Sequence, residues 1–385
     1  MQDVIFGFDY DVRVPNLSVN ELIDQNGDLL PRWLSSNTTK ISTLAPEAKY
    51  IYYVSARAPN FFVYKDLPAL PAHIKQDVDN RRTSVLFFQP YEGGRSWGNA
   101  GDDYQVIEDW IDRSQIDPRT VHFIHGNLKP YSTRFHLHHV QAFELWNALE
   151  GTPAVYNGDK VFVNYNRIPR SHRVQFVAEM IRTGLDKYGY ISFNTAGVEI
   201  HEAGTYHKAL RPIVEQLRTT RLLLDTDSVD NLAMAICKNH YSQTLLSLVS
   251  ETLAQPGTLF ISEKTWKPIQ QGHPFMIFGN PGTLAYLRSF GFDTFDNFFD
   301  TRYDDIEDVN TRMYHILGEI KRLSTFTKAQ RISLSRSMSA TCQYNQRRFS
   351  QHVTEKYGRP IAGLLPLKQI IQQIWTSLCE QASLV

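Results

Sequence analysis

Residues 241–300 read YSQTLLSLVSETLAQPGTLFISEKTWKPIQQGHPFMIFGNPGTLAYLRSFGFDTFDNFFD, and the reading of the fold turns on them. An apolar run through Leu245, Leu246, Leu248 and Val249 ends in two polar residues, Ser250 and Glu251. A loop through Pro256 and Gly257 leads to Ile261-Ser262-Glu263-Lys264, a serine and an acid ahead of a helix expected to reach Gln271. Gly272 ends that segment, and residues 274–279 (PFMIFG) read as a second buried strand. Strand, loop, helix and strand in so short a span are the pattern of a parallel α/β unit. Ligands of such sheets bind at the carboxyl ends of the strands, where Ser250, Glu251, Glu263 and Lys264 would collect.

Upstream, residues 4–12 (VIFGFDYDV), 48–55 (AKYIYYVS), 84–89 (SVLFFQ) and 121–125 (VHFIH) read as four strands. Between the third and fourth, Val106, Ile107, Trp110 and Ile111 have helical spacing, and Asp117-Pro118 breaks the helix. This gives an α/β amino-terminal domain over residues 1–155. A second α/β domain is expected over 156–345. It starts with the strand VFVNY at 161–165, continues with an amphipathic helix from Arg173 that Gly184 stops, and adds a strand at 190–193. Residues 222–225 (LLLD) read as a strand end or the loop after one. Helices are expected over 312–323 and 327–349. The segment 346–385 ends in an amphipathic stretch, 367–378, that could cross back to the first domain.

Of the 385 residues, 42% are hydrophobic and 21% charged, which is the balance of a folded chain with room for two cores. Lys+Arg and Asp+Glu both number 40, so no global field recruits nucleic acid, although a local basic groove is not excluded. Three scattered cysteines, Cys237, Cys342 and Cys379, make no disulfide framework and fit a reducing compartment. No secretory leader pattern opens the chain and no apolar run approaches membrane-spanning length. A cytoplasmic location is the expectation.

The densest cluster of chemistry is Asn166-Arg167-Ile168-Pro169-Arg170-Ser171-His172-Arg173, where a strand gives way to a helix. Helix amino termini favour anions, and guanidinium groups take phosphate oxygens in pairs. A diphosphate clamp and a solvated basic loop both fit. Lys264, Trp266 and Lys267 form a second positive cluster at an equivalent strand-to-helix position. Glu251, at a strand end, suits a ribose or sugar hydroxyl. Glu263, in a first helical turn, is equally an ordinary dipole partner.

The order VFVNYNRIPRSHRVQFVAEM, then DKYG, YSQTLLSLVSET and FISEKTWKPIQQGHPFMIFG resembles the donor-binding half of the α1,3-fucosyltransferase-like glycosyltransferases over residues 160–300. That resemblance implies a GT-B architecture, two Rossmann-like domains facing across a cleft, with the nucleotide sugar in the second and the acceptor in the first. It implies that Arg173 and Lys264 neutralise the donor diphosphate and that Glu263 holds donor hydroxyls. Asn166, Arg167, Arg170, Glu251, Ser262 and Lys267 complete the expected donor set. Thr252 stands where the family usually has Asn, and Trp266-Lys267-Pro268 lies inside the helix start; these departures leave sugar and base undetermined. The run FDTFDNFFD (292–300) is similar to phage reading frames of this general type.

Metal-free transfer through fixed cations, with no cofactor beyond the donor, is the expected chemistry. It needs a base to deprotonate the acceptor hydroxyl. Glu92, in QPYEGGRSWGN beside Tyr91 and Trp97, is the first nominee, with Asp9 and Asp11 as rivals. The acceptor is a glycan or a hydroxymethylated DNA base; for DNA, Arg81, Arg82, Arg95, Lys129 and Arg134 would supply the basic surface.

Two rivals remain open. One is a non-catalytic nucleotide- or phosphate-binding module. The other is a metal-dependent GT-A enzyme using Asp225-Thr226-Asp227. His122, His125, His136, His138 and His139 also crowd together, but H-x-H-H on a helix would splay its side chains, and no cysteine or H-E-x-x-H accompanies it. Satisfied or solvent-facing histidines are expected there, with His125 able to line the acceptor side.

Overall fold

A computed structural model describes residues 4–8, 38–55, 69–89, 103–129, 131–140, 144, 155–166, 169–193, 208–219, 222, 238–357 and 365–380. The chain divides into two compact units, Met1–Ala142 with Tyr357–Val385, and Phe143–Lys356.

The first unit is built on six parallel strands: β1 (Phe6–Phe8), β2 (Thr38–Lys40), β3 (Tyr50–Ser55), β4 (Thr83–Gln89), β5 (Val121–His125) and β6 (His136–His139), in the order β2-β1-β3-β4-β5-β6. The near-continuous apolar runs have a physical cause, since both faces of the sheet are covered. On one face Tyr50, Tyr52, Val85, Phe87, Val121 and Phe123 pack on helices α1 (Ala72–Asp79, through Ile74 and Val78) and α2 (Asp103–Ser114, through Tyr104, Ile107, Trp110 and Ile111). On the other, Phe6, Ile51, Leu86, Phe88 and Ile124 pack on Ile371, Ile374, Trp375 and Leu378 of the last helix, Leu365–Glu380. The amphipathic carboxyl-terminal stretch thus closes the core of the first unit, and Lys49 Nζ donates to Leu378 O at 2.5 Å.

The four histidine-rich residues 136–139 form a strand, so the helix considered for them in weighing a metal site does not form. They pair in register with residues 122–125, and completing the open edge of β5 outweighs local preference. The three-residue polar strand β2 and helix α1 carry too little apolar periodicity to be read from sequence.

The second unit is a four-stranded parallel sheet: β7 (Lys160–Asn166), β8 (Gly189–Phe193), β9 (Thr244–Ser250) and β10 (Phe275–Phe278), in the order β10-β9-β7-β8. Helix α3 (Ser171–Arg182) follows β7 and ends as its sequence predicts, with Gly184 at φ +69° and Leu185 N–H donating to Met180 O at 2.8 Å. Helices α4 (Arg211–Thr219) and α5 (Lys238–Gln243) lead to β9. Helix α6 (Glu263–Gln270) lies between β9 and β10, and α7 (Thr283–Ser289) follows β10. Helices α8 (Val309–Ser324) and α9 (Lys328–Tyr357) complete the unit.

Gly189 opens β8 where a Cβ would lie 2.3 Å from the Phe162 ring. Gly189→Ala is therefore expected to cost about 3 kcal/mol by forcing β7 and β8 apart. A urea titration of the variant reads this directly, and an unchanged midpoint would show that the strands yield freely.

Candidate anion site at the carboxyl edge of the second sheet

Chain order fixes where a ligand would sit. From β7 the chain moves to β8 on one side and then to β9 on the other, so the order reverses between β7 and β9. In open parallel sheets the ligand crevice lies outside the carboxyl ends of the two strands at that reversal. Here those ends carry Asn166 and Ser250-Glu251.

Glu251 is wholly buried, and its carboxylate accepts four hydrogen bonds. Thr252 N donates to Oε2 at 2.9 Å and Ser262 Oγ to the same oxygen at 2.6 Å. Ser262 N donates to Oε1 at 3.1 Å and Thr265 Oγ1 at 2.6 Å. A carboxylate offers about four such positions, and these four partners fill them. Glu251 therefore ties the start of the 252–261 loop to the head of α6, and its role in the fold is to close that loop. Its carbonyl accepts from His172 Nε2 at 3.0 Å, and from Arg173 Nε at 3.1 Å and Nη2 at 2.8 Å. Arg170 Nη1 donates to Thr252 O. Arg312 Nη2 donates to Ala254 O, clamping the same loop from α8.

The two positive clusters read from sequence are thus joined through one residue. Arg170, His172 and Arg173 hold the backbone of the loop, while Ser262 and Thr265 hold the carboxylate that begins it. Ser262 caps α6, its Oγ accepting from Lys264 N at 3.4 Å. Lys264 Nζ contacts Glu263 Oε1 at 2.5 Å, with side chains 21% and 15% exposed. Burial alone would raise the Glu263 carboxyl, but Lys264 and Lys267 together hold it below its ordinary range. Burial pushes the Lys264 ammonium down; Glu263 opposes that shift and Arg173 adds to it. Arg170 and Arg173 stand by His172, and Lys264 and Lys267 by Glu263, while Arg312 is drawn toward Asp304 and Asp308.

Three helices start at this edge, and their amino termini differ. Asp304 accepts from Leu284 N and Ala285 N at 2.9 Å each, filling the end of α7. Ser262 caps α6. The residue before α3 is Arg170, which has no acceptor and gives no side-chain cap. Gly282 likewise gives α7 no capping side chain, but Asp304 takes its first-turn N–H groups, whereas among the described residues no side-chain cap holds the first turn of α3, beside Arg173.

Asn166 adds a directed acceptor. Asn164 Nδ2 donates to Leu248 O at 2.5 Å and Ser250 Oγ at 2.9 Å, which fixes its amide and turns its Oδ1 toward Asn166 Nδ2. The buried Asn166 Oδ1 then has no partner among the described residues. It accepts a hydroxyl or N–H and repels a phosphate oxygen.

Arg167 lies outside the described residues, as do Glu92, Asp9, Asp11, Arg95, Asp225 and Asp227. Sequence reading missed Arg312 and Thr265. Arg312 reaches the loop from a helix about 60 positions away, with no local mark. Thr265 is three residues after Ser262 in SEKT, a spacing that puts both hydroxyls on one carboxylate.

The neutral histidines set an acid limit. Burial holds His172 down at about 3, with Arg173 adding to the shift, and holds His273 at about 4. His273 is pinned in one tautomer by Thr244 O and Ser247 Oγ, each at 2.9 Å. Their folded values lie below the ordinary 6.5, so between these limits the unfolded chain binds the proton first. The stability they contribute is complete above pH 6.5 and declines as pH falls toward 4. Each histidine is expected to cost up to about 1.4 kcal/mol per pH unit in that window. Urea midpoints at pH 7.5 and 5.5 check this; equal midpoints would contradict it.

No protein-family model matches the chain, and no curated protein sequence matches it, so the fucosyltransferase-like resemblance stands on its motifs alone. Among solved structures the chain is similar to a T4 phage beta-glucosyltransferase, at 8% identity and a TM-score of 0.31, over 83% of this chain and 86% of that one.

Proposed function

We propose that the second unit binds the diphosphate of a nucleotide sugar and that the chain is a glycosyltransferase. One observation carries the reading: the amino terminus of α3, without a side-chain cap, stands at the strand-order reversal, where Arg173, Lys264 and Lys267 gather. A nucleotide-sugar diphosphate carries roughly two negative charges and suits cations gathered at a helix amino terminus. Asn166 Oδ1 suits a donor hydroxyl or base N–H beside it. Glu263, partly exposed next to Lys264, remains the nominee for donor hydroxyls.

In the transfer, the bond from the anomeric carbon to the diphosphate oxygen breaks and its electron pair leaves with the diphosphate. The acceptor oxygen forms the new bond and loses its proton to a base, for which Glu92, Asp9 and Asp11 stand as nominees. Lys264, Lys267 and the first turn of α3 would take the charge on the leaving group, which is where fixed dipoles act most strongly. The proposed transfer is inverting and needs no metal.

Incubation with radiolabelled UDP-, GDP- and ADP-sugars, with and without chelator, tests this. Release of one nucleoside diphosphate, unchanged by chelator, is the expected result. Tight binding with no turnover would leave a non-catalytic binding module, and loss of turnover on chelation would favour a metal-dependent transferase.

A further inference from the structure

Helix α9 carries six lysines and arginines and a single carboxylate, Glu355. Its inward face is a stripe of buried residues, Met338, Cys342, Asn345, Phe349 and His352. Phe349 stacks on Trp266 of α6 with ring centroids 5.0 Å apart, and Asn345 Nδ2 donates to Asp293 O at 2.7 Å. With 3.6 residues per turn, the opposite face takes Ser333, Arg336, Ala340, Gln343, Arg347 and Thr354, and all six are exposed. None of them is acidic, and the short side chains leave both arginines open to a broad partner.

Other cations of the helix are occupied within the unit. Arg331 Nη1 donates to Phe326 O at 2.6 Å. Arg348 donates to Phe290 O at 2.6 Å and pairs with Glu355 at 3.0 Å, and Lys328 stands 3.6 Å from Asp159. Arg336 and Arg347 pair with no carboxylate among the described residues. Eleven positions separate them, close to three full turns, so they stand in line about 16 Å apart. That span exceeds a single diphosphate and calls for an extended row of negative charge. A DNA duplex supplies one, at a charge per about 1.7 Å of axis.

The face also discriminates among polyanions. Its six residues include no large apolar side chain to enter a membrane and no aromatic platform for single-stranded bases. A slim helix face fits the wide major groove of B-DNA, whereas the deep, narrow groove of A-form RNA does not admit it. Two arginines that sequence nominates for a DNA surface are engaged in the first unit instead. Arg134 is bound to Glu108 at 2.5 Å and Asp112 at 2.9 Å, and Arg82 to Asp77 at 3.0 Å.

We infer that the outer face of α9 docks the backbone of duplex DNA, with Arg336 and Arg347 each meeting a phosphate and Gln343 donating a hydrogen bond between them. Such contacts set position on the duplex rather than sequence. Taking that duplex as the acceptor of transfer rests on the diphosphate reading of the second unit; duplex binding itself does not, because it is measured without nucleotide.

The test is fluorescence anisotropy of the full chain with a labelled DNA duplex of about 20 base pairs, from about 20 to about 200 mM salt, with an RNA duplex and phosphatidylserine vesicles as competitors. The DNA is expected to bind, its affinity falling with salt at a logarithmic slope of about −2 or steeper. The double variant Arg336→Glu, Arg347→Glu should bind at least about tenfold more weakly and lose about two units of slope. Arg336→Lys with Arg347→Lys, which keeps both charges, should bind within about threefold of the parent. Both side chains are exposed, so the urea midpoint of the glutamate variant should match the parent's, which separates lost binding from lost fold. The inference is overturned if the duplex fails to bind at the lowest salt, if the glutamate variant binds as tightly as the parent, or if RNA or vesicles bind in preference to DNA.

Discussion

Glu251→Ala is expected to be the most damaging single substitution in the second unit. It strands the donors of Thr252, Ser262 and Thr265 in a buried place and releases the 252–261 loop from the head of α6. Leaving several buried donors unmade should lower unfolding free energy by at least about 3 kcal/mol. Glu251→Gln keeps one acceptor oxygen but sets an amide N–H₂ against the other donors, and should lose roughly half as much. Urea denaturation of the two variants orders them. If Glu251→Ala unfolds within 1 kcal/mol of the parent, on the scale of a surface change, the loop is held by other means. Because this carboxylate is spent on the fold, loss of ligand binding in Glu251 variants would follow from loop release rather than from a lost ligand contact.

Lys264→Ala should behave in the opposite way. Its Nζ contacts Glu263 and, at 3.4 Å, Ser262 Oγ, both within α6 or its cap, so the fold should survive. Nucleoside diphosphate binding should weaken about 30- to 100-fold, the effect of losing one charge-assisted hydrogen bond. Arg173→Ala differs again. The guanidinium is buried and bound to the Glu251 carbonyl, so the variant should lose both stability and binding. The separation of stability from affinity between these two variants is the informative outcome. Equal binding by Lys264→Ala and the parent would remove Lys264 from the anion site.

How much of this was written in the sequence differs between the units. Residues 244–250, 263–270 and 275–278 form the strand, helix and strand expected of them, because apolar runs bounded by Gly257 and Gly272 leave little choice of period or register. That the Arg170–Arg173 and Ser262–Lys264 clusters would meet was legible from their shared strand-to-helix position. The manner of meeting was not. Sequence suggests that Glu251 faces a ligand, whereas the structure turns it onto Ser262 and Thr265, eleven and fourteen positions later. The strand at residues 136–139 escaped the sequence reading for a related reason. A polar segment takes its structure from the strand edge it completes, and that edge is set by the distant β5. The last helix reads as amphipathic from sequence, but which core takes its apolar face depends on tertiary packing against Phe6, Ile51 and Leu86.

Calorimetric titration of the full chain with UDP, GDP and ADP and with the matching monophosphates, in the presence and absence of chelator, tests the central claim most directly. The account predicts that one diphosphate binds, that it binds at least about tenfold tighter than its monophosphate, that added salt weakens it, and that chelator leaves it unchanged. Failure of every diphosphate to bind, or equal affinity for diphosphate and monophosphate, would contradict it and return the cations around α3 and α6 to a purely structural role.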